Sequence, residues 1–361
     1  MLVVFVSNIL ILTFLYLYSY KKMHYGLAIG VSLFFFIFAI RKDYGNDYSN
    51  YLEIFDRFSN MPFEEAIDNK YSFFEIGWRF LCSIFSEFGF NSLVIFCHAI
   101  TSLSLFLLCK YCIPRNMALF AVFVYLFTPD FMLVQLSMMR EGLALSLILI
   151  GVTLYLKRNN LLYLFVFSGC AYLFHFTSIV FIVFIIPLLL YRRFLYKYDF
   201  VWTIVVFFLA SIIVTGILFS KFNEIFGAMD SFSKYENYLG RKDGMTFGIG
   251  NLVEFLLTGF PAFLSYKFIK DKNQLLLFQM FLMSFLLVPM SFRSVIFQRI
   301  TLYFTIFSVC VLPMSFAAIN KLPIKRVGCL LYILFTLYRF TSFFYSSIYG
   351  EAYITYHTIF D

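Results

Sequence analysis

Phe73-Phe74-Glu75-Ile76-Gly77-Trp78-Arg79-Phe80-Leu81-Cys82-Ser83-Ile84-Phe85-Ser86-Glu87-Phe88-Gly89-Phe90 decides how this chain is threaded. The stretch is apolar enough to suggest a membrane span, yet it carries Glu75, Arg79 and Glu87 and is interrupted by Gly77 and Gly89. Whether it crosses fixes the side on which every later loop falls. If it returns to the side it left, as a re-entrant or surface-lying helix, one set of loops collects six basic groups. These are Lys21/Lys22, Lys110/Arg115, Lys157/Arg158, Arg192/Arg193/Lys197, Lys267/Lys270/Lys272 and Lys321/Lys325/Arg326. Together they hold 15 of the 28 basic residues, accompanied by only two acids, Asp199 and Asp271. Cytoplasmic loops carry such an excess of Lys and Arg. The stretch is therefore read as non-spanning, with both termini outside.

A spanning question arises at all because the chain is built for lipid. Hydrophobic residues make up 62% of its 361 residues and charged residues 13%, and the mean hydropathy is +0.85, outside the range of soluble globular domains. The expected fold is all-α: one polytopic membrane domain over residues 1–361, of about twelve spanning helices plus the re-entrant or interfacial helix. Apolar runs fall at roughly 2–19, 25–40, 91–109, 116–134, 137–156, 160–175, 177–191, 200–219, 248–266, 273–291, 297–319 and 327–345. Those near Pro129 and His175 are short and read as tilted, broken or partly inserted. The run from Leu2 to Leu17 lacks a basic leader region and reads as a retained first span. A net charge of +8 does not point to nucleic acid, because the basic residues cap apolar segments instead of forming a stripe. The seven cysteines are scattered through apolar segments and imply neither a disulfide framework nor a metal site.

Two long polar segments, about 41–72 and 220–247, then lie on the outer face. The first is acidic and both are rich in Tyr and Asn, residues that stack on and hydrogen-bond to sugars. Charged residues not used as cytoplasmic anchors gather near the same boundary: Arg41, Arg140 with Glu141, His175, Arg293 and Arg299. Ionisable groups at that depth are costly without partners or ligands. Clustered arginines suit a phosphate-bearing ligand, since each guanidinium keeps its charge and presents two parallel donors. Arg293 alone also fits an arginine that snorkels to lipid headgroups. Arg140 and Glu141, as helix neighbours, do not face each other. His175 suits proton transfer near neutral pH, or a satisfied interfacial histidine.

The run Arg41-Lys42-Asp43-Tyr44-Gly45-Asn46-Asp47-Tyr48-Ser49-Asn50-Tyr51 resembles the first outer loop of EpsG/Wzy-type polysaccharide polymerases, with an Arg, then Gly-x-Asp and a Tyr. Further features follow in the family's order: Glu75-Ile76-Gly77, Arg140 opening a span, Phe174-His175 before Thr177 and Ser178, and Arg299 followed by Tyr303-Phe304. Glu141 departs from the pattern, where an uncharged polar residue such as Gln is expected.

The resemblance implies a GT-C-like membrane glycosyltransferase in the bacterial cytoplasmic membrane, active on its outer face. Its substrates would be undecaprenyl-pyrophosphate-linked oligosaccharides, as donor and as acceptor. The growing chain would move from its carrier to the sugar of an incoming unit, with inversion and without a metal or other cofactor. A chain-length regulator and a flippase are candidate partners. Arg140 and Arg299 would hold the pyrophosphate, with Arg41 and Arg293 in support. The base would be Asp47 or His175, with Glu75 a third option, and Tyr48, Tyr51 and Tyr235–Tyr238 are candidate sugar platforms.

Three rivals stand beside that reading. A ligase transferring finished glycan needs the same outer-face arginines. A transporter or flippase should line a path across the bilayer with charge, whereas the mid-span stretches here hold little beyond Glu254 and Arg339. A sugar acyltransferase would want a histidine with a carboxylate, and His175 has none next to it in sequence.

Overall fold

The computed structural model describes residues 1–68, 74–195, 202, 204–206, 208–209, 249–291, 295–319 and 322–361. These residues are nearly all helical and fall into two compact units, Met1–Phe176 with Ile333–Asp361, and Thr177–Tyr332.

In the first unit, α1 (Leu2–Tyr20) and α2 (Gly26–Ala39) form an antiparallel hairpin. A two-residue strand, β1 (Arg41–Lys42), leads into α3 (Tyr48–Ser59), then α4 (Phe63–Asp68), α5 (Ile76–Ile84) and α6 (Phe90–Tyr111). The chain continues through α7 (Ala118–Phe127), the short α8 (Leu133–Ser137), α9 (Met139–Arg158) and α10 (Leu161–Phe174). The polar segment after Arg41 is thus largely helical. Tyr48, Tyr51, Phe55 and Phe58 recur at helical spacing and are buried, while Ser49, Asn50, Glu53, Asp56 and Arg57 occupy the other face of α3. The apolar face packs with Trp78, Leu81, Cys82, Phe90, Met139 and Leu143 into the core that underlies the candidate site.

α5 holds nine residues. At 1.5 Å per residue it covers about 14 Å, less than half of the roughly 30 Å hydrocarbon core. It is too short to cross, in keeping with its non-spanning reading.

The second unit contains α11 (Ile179–Leu195), α12 (Ile249–Tyr266), α13 (Lys272–Ser291), α14 (Val295–Thr305) and α15 (Ser308–Ala318). The last two form a pair bent by 48°. α16 (Leu322–Phe343) returns the chain to the first unit, which closes with α17 (Gly350–Ile354) and β2 (His357–Thr358).

Among the described residues, α1, α6, α9 and α13 are each long and apolar enough to cross a membrane, and the bent α14–α15 pair makes a fifth span if counted as one. Five shorter apolar helices accompany them, at Gly26–Ala39, Arg115–Phe127, Leu161–Phe174, Phe176–Leu190 and Val253–Tyr266. The protein is an all-α membrane protein. The apolar run at 200–219 lies largely outside the described residues, as does the whole polar segment 220–247.

The C-terminal segment folds back over the loop after α2. β1 and β2 pair antiparallel, Arg41 opposite Thr358 and Lys42 opposite His357. The Tyr44 ring packs edge-on against Tyr353 and Tyr356, and the Gly45 N–H donates to Ala352 O at 3.1 Å. Gly45 adopts φ +106°, and a Cβ there would stand 2.8 Å from Ser137 Cβ. Only glycine lets this loop lie against α8 in that backbone conformation.

Candidate functional site

The site begins with the α9–α10 hairpin. α9 ends on Asn159 in the left-handed region (φ +52°), and Asn160 caps α10 by accepting the Leu162 N–H at 2.9 Å. Because the two helices run antiparallel, residues early in α9 and residues ending α10 come to one end of the pair. Arg140 and Glu141 therefore meet His175, some 35 residues away in sequence. Neighbours on a helix point about 100° apart, so Arg140 and Glu141 serve different partners.

α5 supplies the third component. A Cβ on Gly77 would lie 2.6 Å from Leu173 O, so glycine allows α5 to abut the last turn of α10. That contact delivers Glu75, the residue preceding α5, to the helix end. Its Oε1 accepts the Phe176 N–H at 3.2 Å and lies 3.6 Å from His175 Nδ1, while its Oε2 is ion-paired with Arg140 Nη1. Arg140 also donates through Nε to Tyr51 Oη at 3.3 Å, and its guanidinium stacks 4.4 Å from the Phe74 ring centroid. Tyr51 is held in turn by an edge-on contact with Trp78.

His175 completes the cluster from the other side. Its Nε2 lies 4.0 Å from Glu141 Oε2, and both side chains are 2% exposed. The histidine that has no carboxylate beside it in sequence thus stands between two in space, because the hairpin and α5 bring them there. Glu141, for which the family pattern offers no role, is one of them. Burial would lift the Glu75 carboxyl, but the facing His175 imidazole and the Arg140 guanidinium outweigh it and hold the carboxyl down at about 2. A carboxylate so firmly ionised is a weak proton acceptor and a good counter-ion.

The other expected site residues are distributed as follows. Asp47, half-buried, precedes α3, and its backbone N–H donates to Ser137 Oγ at 2.9 Å. It sits one helical turn before Tyr51, so α3 links it to Arg140. Tyr48 and Tyr51 are buried in the core, and Tyr48 Oη donates to Asn91 Oδ1 at 3.4 Å; neither ring is displayed to solvent as a sugar platform. Arg41 is 2% exposed and donates through Nη1 to Phe38 O at 2.7 Å and through Nη2 to Leu136 O at 2.9 Å. Arg299 lies half-buried on α14 in the second unit. Arg293 and Tyr235–Tyr238 lie outside the described residues.

Apolar spans with a buried ionic cluster at one helix-hairpin end define a multi-pass membrane protein with a polar site. The chain belongs to the EpsG family, whose model matches residues 24–358. No curated protein and no solved structure matches it. Family membership points to polysaccharide biosynthesis by a polymerase acting on lipid-linked saccharides in a membrane.

Proposed function

We propose that this protein polymerises undecaprenyl-pyrophosphate-linked oligosaccharide repeat units at the outer face of the cytoplasmic membrane, through about twelve spans and a GT-C-like site. The observation that carries this reading is the match to the EpsG family over residues 24–358. The gathering of Glu75, Arg140 and His175 into one buried cluster supports it.

In the reaction, an acceptor sugar hydroxyl attacks the donor's anomeric carbon. A carbon–oxygen glycosidic bond forms, the bond from that carbon to the carrier pyrophosphate breaks, and the hydroxyl proton passes to a base. Pyrophosphate leaves readily, so alignment and charge stabilisation supply most of the rate enhancement. Arg140, oriented by Glu75, Tyr51 and Phe74, is assigned to the pyrophosphate, and the family resemblance keeps Arg299 in that role with Arg293 in support. Glu75 acts as the counter-ion that fixes Arg140 and His175. Asp47 is assigned as the base, with His175 as its alternate, and the course is inversion at the anomeric carbon. Arginines, not a divalent ion, meet the pyrophosphate charge, so EDTA is expected to leave turnover unchanged.

Acyl transfer to a surface sugar is the second reading, favoured by the placement of His175 between Glu75 and Glu141. Deletion of the gene tests the alternatives in one experiment. Single repeat units on the final acceptor mean polymerase, full-length polymer stranded on the carrier means ligase, and polymer of normal length lacking an acyl group means acyltransferase. Repeat units retained on the cytoplasmic side mean flippase.

A further inference from the structure

A small cavity of about 20 Å³ lies beside the break between α8 and α9, lined by residues that include Arg41, His98, Thr101, Gln135, Met139 and Gly142. Two buried polar atoms on residues that line it have no hydrogen-bond partner among the described residues. They are a donor, Arg41 Nε, and an acceptor, Gln135 Oε1, on side chains of residues 2% and 7% exposed. Gln135 is held in that orientation by its own amide, which donates to Asp130 O at 3.2 Å. His98 Nε2 lies 3.2 Å from Phe34 O. A neutral imidazole that donates its one N–H there keeps its other nitrogen as an acceptor. Among the described residues no carboxylate pairs with Arg41, whose guanidinium is satisfied only by Phe38 O and Leu136 O.

An orphan buried donor and an orphan buried acceptor on residues that line one small cavity are both costly, and one molecule placed between them can satisfy both. We propose that the cavity holds a resident water molecule that accepts from Arg41 Nε–H and donates to Gln135 Oε1 and to the free nitrogen of His98. Room for one water needs roughly 10–15 Å³ and two to four polar partners, which this cavity offers. A halide would meet the arginine but would leave both acceptors without a donor, so the mixed lining selects water. The consequence is a role for Arg41. It is a positioning residue that ties the end of α2, through Leu136 O and the water, to α8 and so to the start of α9, where Arg140 and Glu141 sit.

The test is a structure of the full chain in lipid nanodiscs at a resolution that shows ordered water. The expected result is a peak within hydrogen-bond distance of both Arg41 Nε and Gln135 Oε1. An empty cavity overturns the proposal, as does density there that strengthens when chloride is exchanged for bromide. Variants supply a second readout, which rests on the polymerase reading. Gln135→Leu and Arg41→Lys are each expected to lower the melting temperature and to cut kcat about tenfold, as small misplacement of a charged cluster does, with KM unchanged. An Arg41→Lys protein with unchanged melting temperature and raised KM would make Arg41 a substrate contact and sink the positioning role. If the protein joins no saccharides at all, the density alone still decides the water site.

Discussion

At the scale of single residues, the Arg140–Glu75–His175 cluster concentrates the physical consequences. Glu75→Gln leaves a buried guanidinium without its counter-ion, and breaking such a pair by removing one partner costs about 3–5 kcal/mol. Thermal denaturation of the solubilised protein should show that loss, and an unchanged melting temperature would contradict it. The pH dependence has a definite sign. The folded carboxyl is held down at about 2, below its ordinary value of 4.5, so its stabilisation is complete above about pH 4.5 and disappears as the pH falls toward 2. The wild-type protein should lose stability through that window more steeply than Glu75→Gln. Glu141 carries a second prediction. Glu141→Gln keeps the shape but replaces the carboxyl group facing His175 Nε2, and with His175 as the base it is expected to slow polymerisation at least tenfold at equal protein level. Unaltered turnover would leave Glu141 a packing residue.

At the scale of elements, two close approaches assemble the cluster: α5 against the end of α10 at Gly77, and the α9–α10 hairpin. Gly77→Ala would place a Cβ 2.6 Å from Leu173 O, which is backbone and cannot swing aside. The expected outcome is a displaced α5, with melting temperature and activity both falling nearly as far as in Glu75→Gln; wild-type values in both would show that α5 does not position Glu75. Much of this was legible in the sequence. Apolar runs located most of the helices, and charge in the loops gave the 73–90 stretch its non-spanning reading, with which the nine-residue α5 is consistent. Glu75, Arg140 and His175 were each nameable from type and order. Their mutual contacts were not, because a hairpin joins residues about 35 positions apart and the short α5 brings a third from 65 positions upstream. Tyr48 and Tyr51 show the opposite limit. Tyrosine in a polar segment suggests a sugar platform, but only the 3.6-residue recurrence with Phe55 and Phe58 reveals that both face the core. The tail around Tyr353 and Tyr356 gave no signal at all, since pairing it with the loop after Arg41 depends on the whole intervening fold.

At the scale of the whole molecule, the chain is an all-α membrane protein of the EpsG family with a buried polar cluster in its first unit. Sidedness is open to a direct check, because single cysteines placed at Asn50 and at Asn160 should react with a membrane-impermeant reagent from opposite sides of intact cells. Labelling of both from the outside would reverse the reading of the loops. The central claim is joining of lipid-linked repeat units, and reconstitution measures it. Purified protein in liposomes, supplied only with single repeat units on undecaprenyl pyrophosphate, should yield a ladder of lipid-linked oligomers and release one carrier pyrophosphate for each glycosidic bond formed. Arg140→Ala protein at the same density should form none. Movement of intact single units across the bilayer with no ladder, or an undiminished ladder from Arg140→Ala, would contradict the account.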